Sequence, residues 1–313
     1  MNPKFFDSDT VRASLGFPDC INAMRSTMIA LSAGELAGLP RQILQVPNSG
    51  MLGLMGGRLA AGAPFGAKIV SVFPGNHARG LESHQGAIVL FDPASGAPRA
   101  IIDAGEVTRI RTASASAAAT DCLARSDARS MAVLGYGTQA MAHVEAMLCV
   151  RDLSAITVWG RDEGKRRGFS ARVQQCFGIS CHAARDVREA VAEADIICTT
   201  TSASEPILLG ADLQRGVHVN LVGSGFAGPR EVDGELVALS RFFADDRVNV
   251  MSQGAEFLHA RKAGLVGDDH ILAEIGEVMA GTVIGRSSQD DITVYKSLGH
   301  IVQDLAAAEL LFG

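Results

Sequence analysis

The spacing of apolar residues changes character along the chain, and each change predicts a different kind of element. Up to about residue 38 the apolar positions follow a helical period. Asp9-Thr10 precedes Val11, and Pro18-Asp19 precedes a run from Ile21 to Ala33 that Gly34 and Gly38 bring to a stop. From Arg41 the period becomes two. Arg41 to Val46, Met51 to Leu59, Gly66 to Val72 and Gly86 to Phe91 read as strands, and the turn Asp92 to Gly96 leads into a further strand from Pro98 to Asp103. Strands joined by turn-sized links, with no helix between them, predict a mainly antiparallel sheet.

Thr112 to Leu123 is almost wholly Ala, Ser and Thr, a helix surface that other backbone or a flat ring can approach closely. After it strands and helices alternate. Strands are predicted at 131–134, 156–159, near 179–181, 196–200, 217–222 and 241–245, with helices at 138–150, 163–177 and 186–193. That is a βαβ series, and it predicts a doubly wound parallel sheet. Asp268 to Met279 reads as a helix and Thr293 to Leu311 as a long C-terminal helix.

Composition adds mostly exclusions. A chain of 313 residues has room for two domains, and its net charge of −6 argues against a nucleic-acid surface. No terminal segment combines basic residues with an uninterrupted apolar run, so neither a signal peptide nor a membrane span is expected. The six cysteines are scattered without a CxxC pair and the histidines do not pair at helical spacing. Reduced thiols, a cytoplasmic location and no metal site follow as expectations.

The strongest local signal is Met131 to Ala140, where a short apolar run enters Gly135-Tyr136-Gly137-Thr138-Gln139-Ala140 and leaves as a helix. Gly-x-Gly-x-x-Ala between strand and helix is the dinucleotide turn. The first glycine permits the turn, the second lets a pyrophosphate approach, and the helix N-terminus supplies free N–H groups. At the end of the next strand a binder of NAD usually carries Asp or Glu. Here the tip is Gly160, followed by Arg161, with Lys165 and Arg166 one turn on. A basic cluster favours a 2′-phosphate, so NADPH is expected, with NADH possible through Asp162.

Lys68 sits inside an apolar strand, where an ammonium must snorkel, pair with a carboxylate or face a polar pocket. Arg111 stands just before the small-residue helix, placed either to hold a carboxylate by a two-pronged bond or to pair with Asp103 or Glu106. Arg41 alone reads as a surface residue, and His84 as a turn or core histidine.

Taken together these residues resemble the ornithine cyclodeaminase/mu-crystallin family. The motifs are Leu39-Pro40-Arg41, Gly66-Ala67-Lys68, Arg109-Ile110-Arg111-Thr112-Ala113, the glycine turn, Thr199-Thr200-Thr201 with Glu205-Pro206-Ile207-Leu208, and Lys296-Ser297-Leu298-Gly299. The resemblance runs from about residue 39 to the end. It implies an α/β subunit, usually dimeric, in which a Rossmann doubly wound parallel-sheet domain (119–289) accompanies an α+β catalytic and dimerisation domain with a mainly antiparallel sheet (1–118 plus 290–313). It also implies that the two domains enclose a small amino or imino acid. Arg41, Lys68 and Arg111 would hold the substrate carboxylate. Thr112, Thr201, Val222, Gly223 and Ser297 would lie around the cofactor, together with Gly135, Gly137, Thr138, Gln139, Ala140 and Arg161.

One departure narrows the chemistry. Cyclodeaminases of the family carry an aspartate after the strand ending near Val222, where this chain has Gly223-Ser224-Gly225-Phe226-Ala227-Gly228-Pro229, with Gly225 opposite the aspartate. Ser83-His84-Gln85 resembles the mu-crystallin branch. The expected reaction is NAD(P)H-dependent reduction of a small cyclic ketimino acid, Δ1-pyrroline-2-carboxylate or Δ1-piperideine-2-carboxylate, with Lys68 tuning charge and His84 as proton relay. Ornithine cyclodeamination, an alanine-type dehydrogenase and a non-catalytic binding protein are the alternatives.

Overall fold

The period-two stretches between residues 42 and 103 form one sheet. In the computed structural model, which describes residues 2–47 and 50–312, its strands are β1 (Lys4–Phe6), β2 (Ala37–Gly38), β3 (Gln42–Val46), β4 (Gly50–Arg58), β5 (Phe65–Val72), β6 (His84–Phe91) and β7 (Pro98–Asp103). Their order is β1-β7-β6-β5-β4-β2, with β3 also paired to β4. Every pairing is antiparallel except that of β1 with β7. The strands β1 and β2 lie inside the stretch whose pattern predicts only helices; two or three residues are too few for a period to register.

Alternation divides the sheet into two unlike faces. Met55, Lys68 and Ile88 stand side by side in the register of β4, β5 and β6, and all three are buried. The helix Ile301–Glu309 packs over this face and against the helix Phe17–Ser32. The other face carries Leu44, Leu54, Phe65 and Ile69, between 39% and 60% exposed.

The second sheet is parallel throughout. Its strands are β8 (Ser130–Leu134), β9 (Ala155–Trp159), β10 (Ser180–Ala183), β11 (Ile196–Thr199), β12 (His218–Leu221), β13 (Arg241–Ala244), β14 (Ile271–Glu274) and β15 (Thr293–Lys296), in the order β10-β9-β8-β11-β12-β15-β13-β14. Its central strands are fully buried, as in a parallel sheet covered on both faces, although β12 and β15 carry the buried polar side chains of His218, Asn220, Thr293 and Lys296. The fold class is therefore α/β, a Rossmann-like parallel sheet accompanied by a mainly antiparallel one. The residues up to Arg111 together with those from His300 make one unit, and Thr112 to Gly299 the other.

Three predicted helices differ. Thr293–Leu311 is not one helix: β-branched and aromatic Thr293-Val294-Tyr295 inserts as β15 between β12 and β13, Gly299 turns the chain at φ 81°, and the helix begins at Ile301. Asp268–Met279 holds the edge strand β14, whose burial alternates, and only Ile275–Met279 is α-helical, started by a Glu274/Glu277 capping box. The small-residue helix starts at Ala104 rather than Thr112, because Asp103 Oδ1 accepts the Glu106 amide at 2.7 Å. Arg111 thus stands two turns inside a helix. Among the described residues no helix is long and apolar enough to cross a membrane.

Candidate active site

In the unit from Thr112 to Gly299 the glycine turn joins β8 to the helix Thr138–Leu148. Gly135 has φ 122°, and a Cβ there would stand 2.7 Å from the Thr200 hydroxyl, so only glycine fits. Gly137 caps the helix without any side-chain hydrogen bond to its first turn, and the space beside its Cα is open. Thr138, Gln139 and Ala140 form that first turn, with Ala140 fully buried. The helix N-terminus thus has no side-chain cap and open space beside Gly137, the arrangement that suits a phosphate. Two buried hydroxyls point the same way: Thr112 Oγ1 and Ser297 Oγ have no hydrogen-bond partner among the described residues. A buried hydroxyl without a partner costs free energy unless a ligand or water satisfies it. These residues fit a dinucleotide.

At the tip of β9, Asp162 uses one carboxylate oxygen as a helix cap. Its Oδ1 accepts the Lys165 amide at 2.8 Å as the N-cap of the helix Glu163–Phe177. Arg161 is exposed beside it, and Arg166 Nη1 donates to the Gly160 carbonyl at 3.2 Å.

The loops after β11 and β12 are fastened to each other by a residue that sequence reasoning missed. Glu231, fully buried, accepts on Oε1 from the Thr201 amide and hydroxyl, both at 2.7 Å. On Oε2 it accepts from Thr199 Oγ1 at 2.5 Å and from the Gly223 amide at 2.7 Å. Burial nonetheless pushes its carboxyl up from the ordinary glutamate value, against those bonds. Beneath, Lys296 and Glu256 form an ion pair at 2.9 Å with neither side chain exposed. Lys296 Nζ also donates to the Ser224 carbonyl at 2.8 Å and hydroxyl at 2.6 Å, and the Ser224 hydroxyl donates to Glu256. Thr201 and Gly223 are thus held by Glu231, and Val222 N is bonded to Thr199 O at 3.2 Å.

In the other unit Lys68 and Arg111 meet over one carboxylate, Asp304. Lys68 Nζ and Arg111 Nε each donate to Asp304 Oδ1 at 2.9 Å. Lys68 also donates to Thr108 Oγ1 at 2.6 Å, and Arg111 Nη1 to Gln303 Oε1 at 2.9 Å. Lys68 and Arg111 are about 4% and 5% exposed, Gln303 and Asp304 not at all. Burial pushes the Lys68 ammonium down to about 8; Asp304 pulls it back, while Arg111 and Arg41 add to the depression. Burial alone would raise the Asp304 carboxyl, but Arg111 and Lys68 outweigh it and hold the group below the usual aspartate range.

The arginine partners suggested by sequence are taken by others. Asp103 caps the helix, and Glu106 binds Arg109 at 2.8 Å and Arg12 at 3.1 Å. Arg41 is partly buried and near enough for its charge to act on Lys68. His84 is not brought to this cluster. It is exposed, bonds Ser83 Oγ through Nδ1 at 2.9 Å, and pairs with Val72, four register positions from Lys68. That separation is roughly 13 Å along the strand. Among the described residues no group of three or more His, Cys, Asp or Glu side chains could hold a metal ion.

Known proteins resemble this one in fold and sequence. The family described as ornithine cyclodeaminase/mu-crystallin matches residues 3–313. A Δ1-pyrroline-2-carboxylate reductase of Bacillus thuringiensis subsp. konkukian is 35% identical over 248 residues, covering 79% of this chain and 76% of that one. The solved Δ1-pyrroline-2-carboxylate reductase of Thermococcus litoralis, in complex with NADH and L-proline, superposes with a TM-score of 0.96 at 29% identity, over 99% of this chain and 96% of the other. An archaeal alanine dehydrogenase dimer with bound NAD superposes at 0.93 with 28% identity, over 100% and 95%. With the glycine turn, the paired loops and the buried cations all within the matched span, the chain belongs to the ornithine cyclodeaminase/mu-crystallin family, among whose members are NAD(P)-dependent imine reductases and dehydrogenases.

Proposed function

We propose that this protein reduces a small cyclic ketimino acid, Δ1-pyrroline-2-carboxylate or its six-membered homologue, to L-proline or L-pipecolate with NADPH, NADH serving less well. The observation that carries the reading is the pair of buried cations sharing Asp304. Two nearly inaccessible positive groups held 2.9 Å from one oxygen form a rigid clamp suited to a carboxylate. Arg111 and Lys68 bind that carboxylate with the charge of Arg41 beside them, which orients the imine carbon. When bound, the nicotinamide supplies the hydride that this carbon accepts, while the ring nitrogen carries the proton. Much of the rate then comes from positioning. Lys68, with its ammonium near pKa 8, stands where it can hold or give a proton. A relay through His84 requires water between it and the clamp.

In the same reading Gly135, Gly137, Thr138, Gln139 and Ala140 bind the pyrophosphate, Arg161 the 2′-phosphate, and Thr112, Thr201, Val222, Gly223 and Ser297 the nicotinamide end. The basic Arg161, exposed at the tip of β9 beside Lys165 and Arg166, favours NADPH, and the Lys165 amide already occupies one oxygen of Asp162. Gly225 stands in the loop where cyclodeaminases carry an acid, and a hydrogen atom cannot bind a distal amine. The exposed apolar face of the antiparallel sheet supports a homodimer.

The test is oxidation of NADPH with Δ1-pyrroline-2-carboxylate, with proline quantified as product and Arg111→Ala as the control. Arg111→Ala is expected to raise KM for the imino acid and lower kcat, leaving cofactor affinity unchanged. Unaltered kinetics in that variant would remove Arg111 from the site.

A further inference from the structure

We propose that Asp304 is the positioning residue of the carboxylate clamp, holding Lys68 and Arg111 in the spacing and charge state with which they meet the substrate. The inference rests on the reductase reading above. Asp304 has no exposed surface, so it acts through the two cations rather than on the substrate. Its Oδ1 takes one N–H from each, and its Oδ2 is buried without a partner among the described residues.

The bonds it makes decide what is left for a ligand. Thr108 Oγ1 donates to the Ala104 carbonyl at 2.6 Å and so receives Lys68 as an acceptor. With the second N–H on Asp304, one of the three ammonium hydrogens remains. Arg111 spends Nε on Asp304 and Nη1 on Gln303, consecutive residues of the helix Ile301–Glu309. Two bonds from neighbouring residues fix the guanidinium plane, and Nη2 is left over. One Lys68 N–H and the free end of Arg111 are the two prongs a carboxylate needs. The groups facing Lys68 are Asp304, Arg111, Thr108 and the charge of Arg41, with apolar Met55 and Ile88 beside it on the sheet. Asp304 supplies the negative charge that favours the ammonium.

The experiment is the pH profile of kcat/KM for imino-acid reduction by the full chain and by Asp304→Asn. Loss of the charge is expected to move the alkaline limb down by about one pH unit, and to raise the imino-acid KM about tenfold while the cofactor KM stays within about twofold. A folded Asp304→Asn chain whose alkaline limb stays at the parent's pH overturns the inference. Where that variant does not fold, Asp304→Glu decides: its charge is kept but displaced by one methylene. A limb at the parent's position with a raised imino-acid KM supports the inference, and a parent-like KM overturns it. A parent chain that reduces no imino acid overturns the reductase reading, and the inference with it; an active parent beside an unmoved limb overturns the inference alone.

Discussion

Glu231 accepts the amide of Gly223 at 2.7 Å, and a Cβ on Gly223 would stand 2.4 Å from the other oxygen of that same carboxylate. The Thr201 carbonyl would be nearer still, at 2.2 Å. The loops after β11 and β12 are therefore locked together with no spare volume. Gly223→Ala forces backbone apart, and overpacking of this kind costs about 1–3 kcal/mol. Denaturant unfolding should show that loss, and titration of NADPH fluorescence should show weaker binding. A variant with parent stability and affinity would mean that the loops have more give than these contacts allow.

The tip of β9 makes a prediction about cofactor choice. A charge-assisted hydrogen bond to a phosphate contributes about 1.5–3 kcal/mol, so Arg161→Ala should lower kcat/KM with NADPH by roughly ten- to a hundredfold. Activity with NADH should change little. Equal losses with both cofactors would place Arg161 away from the 2′-phosphate.

Lys68 sets a pH dependence. Its ammonium is charged below a pKa of about 8 and neutral above it. If the charged form holds the substrate, kcat/KM falls about tenfold per pH unit as the pH rises past that value. Lys68→Arg, whose guanidinium stays charged, should lose this limb even where its rate is lower. A limb that persists in Lys68→Arg belongs to another group.

The apolar sheet face predicts an assembly. Ile69 is 42% exposed on the face opposite Lys68, with Leu54 as its β4 neighbour. Ile69→Asp should turn a dimer into a monomer in sedimentation, without touching the clamp. A parent chain that sediments as a monomer would contradict the assignment of this face.

Much of the fold was legible because long elements repeat their period. β4 to β7 and β8 to β13 lie close to the predicted ranges, and the helix Glu163–Phe177 coincides with its prediction. The misses have local causes. Thr293–Lys296 has only four residues, too few for its period to separate a buried strand from the start of the helix that follows, and β1 and β2 are shorter still. In the site, Lys68 announced itself as a cation in an apolar strand, but its partner lies 236 residues away. The signal for Asp304 was the same in kind: an acid inside the apolar run Ile301 to Leu311. Glu231 and Glu256 gave no such sign, since Glu231 lies outside any strand or helix and Glu256 stands in the first turn of the short helix Ala255–Lys262, yet both are buried.

The central claim is most directly tested by supplying Δ1-pyrroline-2-carboxylate with NADPH or NADH and following absorbance at the nicotinamide band, while ornithine with NAD⁺ is assayed in parallel for ammonia. The account predicts imine-dependent oxidation, faster with NADPH, proline as product, and no ammonia from ornithine. Ammonia from ornithine without imine reduction would contradict it, and would mean that the Gly225 loop serves a cyclodeaminase after all.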